Sequence, residues 1–388
     1  MGASRRRIVL RRAGAFVAAA AATGAAWFFL VREDGGGGDP GEPTRGVSSA
    51  VHERVRELST EELVDQVLML GFDGTDATAT FLGEVRERAL GAVLVGSANW
   101  TDSAQGTALV GELRRAGASG GRTPPLIVAA QEGGTYRAFA DLPPAETALQ
   151  VGDTGSVPVV ERWARETSEG LRAAGFDLNL FPVADVATLD SPVADRAFSD
   201  DAPVAATMTA AAVRGCRAAG IACAPLHFPG LGASSQDTGQ GPATVSLDEA
   251  SLSARDLEPF RAAFSERAEV VVLSLAFYAA YDSVTPAALA EPVATGLLRD
   301  KLGFEGVAIT DDLGSGAIKA TYRVPQAAVE ALAAGADLIQ IGSVADQAGV
   351  RDALLAAVRS GELPEPRLAE AAARVLELKS KLGLLPPA

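Results

Sequence analysis

Between residues 60 and 380 short apolar runs recur, four to six residues long, and polar, helix-forming stretches separate them. The runs are "VLMLGF" (67–72), "AVLVG" (92–96), "PLIVAA" (125–130), "LNLF" (178–181), "IACA" (221–224), "VVVLSL" (270–275), "GVAIT" (306–310) and "DLIQIG" (337–342). Short apolar runs with little alternation suit strands buried on both faces, as in a parallel sheet covered by helices. The intervening stretches, such as "VVERWARETSEGLRAAG" and "PVATGLLRDKLG", carry the spacing of amphipathic helices. Several end in glycine before the next run ("AAGFD", "AAGIA", "KLGFEG", "AAGAD"), the expected helix-to-strand junction.

Eight strand–helix units predict a (β/α)8 TIM-type barrel rather than an open doubly wound sheet. No G-x-G-x-x-G follows the first run, which argues against a dinucleotide fold. "SLDE" at 246–249 predicts a capping box opening a helix. "RLAEAAARVLELKSKLGLL" predicts a closing helix, and no second domain is expected after it.

The amino terminus has a different pattern. Residues 1–12 form a basic segment holding Arg5, Arg6, Arg7, Arg11 and Arg12. Residues 13–31 then run 19 positions without a charge, about the length needed to cross a hydrocarbon core. With the arginines cytoplasmic, this reads as a membrane anchor holding the rest extracytoplasmic; the alternative is an export signal whose cleavage leaves the protein secreted. Residues 32–50 are rich in glycine and proline and read as a linker, and 51–388 as the barrel.

The chain is 48% hydrophobic, enough for a large core, and has a formal net charge of -15. With no basic stripe, nucleic acid is excluded as a partner. A neutral or amino sugar tolerates this field, whereas a polyanion does not. Cys216 and Cys223 show no metal-ligand spacing and read as small core residues; their separation of seven leaves pairing open. No metal or other cofactor is expected, and the protein is expected to be a monomer.

In a barrel, chemistry sits on the loops after the strands. Those loops here read "QEGGTYR", "PVADV" with "DRAFSDD", "PLHFPGLGASSQDTG", "AFYAAYD", "DDLGSG" and "SVADQ". Asp311 stands directly at the end of an apolar strand, where a fixed carboxylate could attack an anomeric carbon. The simpler alternative is that Asp311 or Asp312 caps the next helix. Phe277, Tyr278 and Tyr281 read as rim packing, with a sugar-stacking platform as the alternative. Trp100 reads as a loop anchor.

Taken together and in order, "QVLMLGFDG", "GAVLVGSAN", "QEGG", "NLFPVADV", "SPVADRAFSDD", "HFPGLG", "GLLRDKLGFEGVAITDDL" and "ALAAGADLIQIG" resemble glycoside hydrolase family 3. The likeness covers about residues 58 to 384 and is greatest with the family's single-domain β-N-acetylglucosaminidases that process peptidoglycan sugars. It implies a retaining glycosidase of carbohydrate substrates with Asp311 as nucleophile. It further implies sugar-site roles for Arg196, His227, Glu132 and Asp185. Arg137 lies two residues beyond the family's usual arginine position, where Thr135 stands. Other departures are Ala130 for an aspartate, Leu226 for a lysine and Leu231 for a histidine. The family's acid/base histidine belongs to a loop triplet that here reads Asp237, Thr238, Gly239, so the histidine is missing and Asp237 is the remaining candidate acid. Loss of a general acid costs on the order of 10²- to 10⁴-fold. Weak activity is therefore expected, with a catalytically inactive barrel that binds wall glycan or a protein as the alternative. Leu226 and Leu231 are expected to make the site mouth apolar.

Overall fold

The computed structural model describes residues 44–385. The basic segment and the apolar run at 13–31 lie outside the described residues, among which no helix is long and apolar enough to cross a membrane. All eight apolar runs contain strands: β1 (Leu68–Leu70), β2 (Ala92–Leu94), β3 (Leu126–Ala129), β4 (Leu178–Asn179), β5 (Ala222–Cys223), β7 (Val270–Leu273), β10 (Val307–Thr310) and β11 (Ile339–Ile341). Three further strands, β6 (Thr244–Val245), β8 (Phe277–Tyr278) and β9 (Asp282–Pro286), form a separate small sheet in the order β6-β8-β9.

The eight core strands pair in parallel in two groups, β11-β1-β2-β3-β4-β5 and β10-β7. Regular ladder pairing stops at two seams. Each seam is spanned by one isolated parallel bridge, Phe228↔Leu273 and Ile309↔Leu338. The fold is thus α/β and of TIM-barrel type, with its ladder interrupted on both sides of the β7–β10 pair. Phe228 donates its N–H to Val272 and accepts from Ser274, both at 2.8 Å, so the chain just after His227 is stitched to β7.

Helices cover the outside. Val157–Ala173 and Ala202–Ala219 pack closely because small residues face the crossing; a Cβ at Gly215 would meet the Glu161 carbonyl oxygen at 2.4 Å. Ala202–Ala219 ends at Gly220, whose left-handed φ of 72° turns the chain into β5 as the glycine junction predicts. The "PVATGLLRDK" stretch is a π-helix over Pro292–Lys301.

The predicted capping box at 246–249 does not form. Asp248 is the N-cap of Glu249–Ala254, its carboxylate accepting the Ser251 N–H at 2.7 Å, and Glu249 pairs instead with Lys301 at 2.7 Å. An N-cap carboxylate one residue before the helix does the work that the box assigned to Ser246. The core reading of the two cysteines holds, with Cys216 and Cys223 0% and 5% exposed. Their sulfurs are also joined as a disulfide across a Cα separation of 6.3 Å.

At the amino ends of the strands the barrel is closed by buried ion pairs. Asp337, just before β11, accepts from Arg299, Arg367 and Arg374. Asp65 binds Arg88 and Arg351, and Asp177 binds Arg114. Lys379 of the closing helix Glu365–Lys381 is fully buried and donates to Gln66 and the Leu90 carbonyl. A cavity of about 170 Å³ opens at this end, lined by Arg114, Arg172 and Asp177, and Arg114 is committed to Asp177 there.

Candidate active site

The opposite end, where the strands finish, gathers most of the residues that the sequence singled out. The loop after β3 is fixed from below. Buried Gln131 and Asn179 exchange two hydrogen bonds at 2.9 Å, and the Gln131 amide reaches the Phe139 and Pro143 carbonyls at 3.0 Å. This holds Glu132 at the rim, where its carboxylate grips Arg196 in a two-point fork, both contacts 2.7 Å. Fork pairing of guanidinium with carboxylate is directional as well as strong. The Arg196 and Glu132 side chains are only 14% and 11% exposed.

Arg196 continues the chain of contacts. Its Nη2 lies 3.4 Å from His227 Nε2, and His227 Nδ1 lies 2.8 Å from Asp185 Oδ2. Asp185 is fully buried and also accepts the Leu231 N–H at 2.7 Å. A carboxylate can only accept, so Nδ1 carries the hydrogen and Nε2 turns its lone pair to Arg196. This tautomer follows from the hydrogen-bond network. Burial opposes the charge of Arg196, but Glu132, and after it Asp185 and Asp311, outweigh burial and hold the guanidinium more firmly protonated than usual. Asp311 therefore lies within electrostatic reach of this cluster.

The structure divides the work of the two adjacent aspartates. Asp312 is the turn-former: its Oδ1 accepts the N–H groups of Gly314 at 2.8 Å and Gly342 at 3.1 Å. Burial pushes its carboxyl above the usual range, against those two hydrogen bonds. Ser315, not either aspartate, is the N-cap residue of the next helix, Gly316–Lys319. Among the described residues the Asp311 carboxylate accepts only the Asp312 N–H, at 2.8 Å, and is half-buried, which leaves its second oxygen available. Its backbone N–H is bonded to Leu273 at 3.1 Å, so β7 fixes its height on the rim.

The loop after β5 is also docked. Gly316 and Ala317 donate to the carbonyls of Gly239 at 3.2 Å and Thr238 at 3.0 Å, and Thr238 is 3% exposed. The Asp237 carboxylate turns inward on its own loop and accepts the Gly239 N–H at 2.7 Å. Asp237 thus sits near the rim with one carboxylate oxygen engaged in an Asx-type turn, as one oxygen of Asp311 is engaged by the Asp312 N–H.

Arg137 forms an isolated bridge with Gln131 through its backbone, and its side chain makes no hydrogen bond or ion pair among the described residues. One expectation does not hold. Leu226 and Leu231 are 5% and 1% exposed and join the core, so they fill the wall beneath the rim and do not make the mouth apolar. Tyr278 is buried, with its hydroxyl donating to the Gly230 carbonyl at 2.9 Å, and its role is packing. Trp100 anchors its loop as expected, donating Nε1–H to Asp141 at 2.8 Å.

Two residues near the site were not singled out from the sequence. Asp256 is fully buried under Gly230, and burial, opposed by Arg255 and reinforced by Asp185, pushes its carboxyl up to about 7. Its signal was a charge within the otherwise helical, partly apolar "ARDLEPF". Tyr136, two residues beyond "QEGG", is 43% exposed and lies over the Arg196 guanidinium at 5.1 Å.

Comparison with known proteins shows the family. Residues 59–378 match the model of the glycosyl hydrolase family 3 N terminal domain. The chain is 34% identical over 284 residues to a beta-hexosaminidase of Stenotrophomonas maltophilia, an alignment covering 71% of this chain and 83% of that one. Among solved structures it is similar to a glycoside hydrolase family 3 beta-N-acetylglucosaminidase from Paenibacillus sp., with TM-score 0.79 and 31% identity. That alignment covers 85% of this chain and 64% of the other, so the chain spans a little under two thirds of that protein. It is also similar to a beta-N-acetylhexosaminidase from Beutenbergia cavernae, with TM-score 0.75, 30% identity, 83% of this chain and 99% of the other. With a barrel-type fold, a rim carboxylate at the end of β10 and a family match over most of its length, the chain belongs to glycosyl hydrolase family 3.

Proposed function

We propose that the protein is a retaining β-N-acetylhexosaminidase of low intrinsic activity, acting on amino-sugar glycans of the peptidoglycan type. The observation that carries this reading is the division of labour at the end of β10. Asp312 makes the turn, and Asp311 is left half-buried and free beside the Glu132–Arg196–His227–Asp185 chain. In the first step an Asp311 oxygen forms a bond to the anomeric carbon while the glycosidic C–O bond breaks, its electron pair leaving with the aglycone. In the second, water adds to the same carbon and releases the sugar with retained configuration, regenerating the Asp311 carboxylate and one proton. Arg196 is positioned for sugar hydroxyls and His227 holds it there.

Low activity follows from the leaving-group side. The loop carries no histidine, and Asp237 is the acid group that remains on it. A poor leaving group needs a proton in the transition state, worth typically 10²- to 10⁴-fold, whereas an aryl leaving group does not. The test is an aryl N-acetyl-β-glucosaminide with an excellent leaving group. The expected result is a burst of aryl alcohol and a glycosyl adduct on Asp311, both lost in Asp311→Ala. Absence of burst and adduct overturns the reading. A second reading, a non-catalytic barrel that binds glycan, is favoured by the missing loop histidine and would give sugar binding without an adduct.

We also propose an extracytoplasmic location, by an anchor at 13–31 or secretion. The described chain enters at the amino ends of the strands, where Ser48 bonds Glu377 at 2.9 Å and Gly46 lies against Glu305. That is the end remote from Asp311. The mass of the mature protein distinguishes anchor from cleaved signal.

A further inference from the structure

Tyr136 is one of five large apolar or aromatic side chains that are exposed among the described residues. Nothing in its own loop needs a ring on the outside. Its position is nevertheless rigid. Tyr136 N–H donates to the Gly133 carbonyl at 2.9 Å, and its own carbonyl accepts the Glu132 N–H at 3.1 Å. Gly133 and Gly134 have φ of +120° and +55°, and added Cβ atoms would meet the Glu146 carbonyl oxygen at 2.2 Å and Thr147 Cγ2 at 2.3 Å. The turn is therefore locked against a neighbouring segment. One face of the ring lies over the Arg196 guanidinium, 5.1 Å from the centroid, and that guanidinium is itself pinned by the Glu132 fork.

We propose that Tyr136 is a carbohydrate-binding residue, a preformed aromatic platform for the leaving-group sugar of a β-linked N-acetylated oligosaccharide. The proposal rests on the reading of Asp311 and Arg196 as the site of the sugar that is transferred. Tyr136 is 43% exposed while the Arg196 side chain beneath it is 14% exposed, so the ring stands outward of the guanidinium and its other face is open to a further sugar residue. A β-linked hexosamine in its chair form presents axial C–H groups on one face. That face is apolar and complements the electron-rich face of a tyrosine ring. Because backbone and guanidinium already fix the ring, little side-chain freedom is lost on binding.

The experiment uses the Asp311→Asn protein, which cannot turn substrate over, and the trisaccharide of β-1,4-linked N-acetylglucosamine in isothermal titration calorimetry. Tyr136→Ala and Tyr136→Leu are each expected to weaken binding at least tenfold, while Tyr136→Phe stays within threefold. Leucine still covers Arg196 but has no aromatic face, so its loss of affinity separates stacking from mere shielding of the guanidinium. Equal melting temperatures for all the variants show that folding is not the cause. Wild-type affinity in Tyr136→Ala, or in Tyr136→Leu, overturns the platform while leaving the glycosidase reading intact. No trisaccharide binding with Tyr136 present, together with no adduct on Asp311, overturns the reading on which it rests.

Discussion

At the residue scale the site depends on a few polar side chains that have given up water for one another. Glu132 and Arg196 are the clearest pair. Removing one charge of a buried pair strands the other, at a cost of about 3–5 kcal/mol. Glu132→Gln should lower stability by that order and release Arg196 from its fixed position, read as a lower urea midpoint and weaker sugar binding. The missing acid can be put back. A Cβ at Gly239 would meet only the Asp237 carboxylate, at 3.2 Å, and the position is exposed. Gly239→His should therefore fold, and should raise hydrolysis of glycosides with poor leaving groups more than that of aryl glycosides; equal effects on both would exclude an acid role for the new imidazole. Asp256 makes a pH prediction. Its carboxyl is raised from 3.8 to about 7, so between these values the unfolded chain releases a proton that the folded protein keeps. Stability is then lost as pH rises through that window and is level above it. Asp256→Asn removes this loss, and its melting temperature relative to wild type should rise from pH 4.5 to pH 8.

At the scale of elements, tertiary contact overrules local preference at several places. The crossing of Val157–Ala173 with Ala202–Ala219 requires Gly215. Helix propensity alone makes Gly→Ala stabilising by about 1 kcal/mol. The Glu161 carbonyl oxygen 2.4 Å from the new Cβ reverses the sign. Gly215→Ala is expected to destabilise by about 1–3 kcal/mol through overpacking, checked by chemical denaturation. The small sheet β6-β8-β9 was not legible from pattern, because its strands are two to five residues long and its pairing joins loops distant in sequence. The cap of Glu249–Ala254 was misread by two positions for a related reason: Ser246 and Asp248 both suit an N-cap, and only the backbone path chooses between them.

At the scale of the molecule, the two ends of the barrel are built differently. The end carrying Asp311 exposes single polar groups and a tyrosine ring. The other end is closed by buried ions, with Asp337 at the centre of three arginines. Burial alone would raise its carboxyl, but Arg299, then Arg374 and Arg367, hold it below the ordinary range. A depressed carboxylate contributes stability above its unfolded value, about 3.9, and loses it as pH falls through the folded one. Asp337→Asn leaves three arginines short of a partner and should cost on the order of 3–5 kcal/mol at pH 7, with a smaller deficit in acid. A small effect at pH 7 would show that the arginines find other acceptors.

The sequence by itself determined the eight core strands and the glycine junctions, because strand burial and helix termination are local properties that leave periodic marks. It also showed the absence of a loop histidine, which needs no coordinates. Only the tertiary structure decided which of two adjacent aspartates is free, that Asp237 bonds its own loop, that Leu226 and Leu231 face the core, and that Tyr136 covers Arg196. Most of these depend on which partner a side chain meets in the folded chain, and partners such as Glu132 and Arg196 stand 64 residues apart in the sequence. The spacing of residues along the sequence carries no record of those distances.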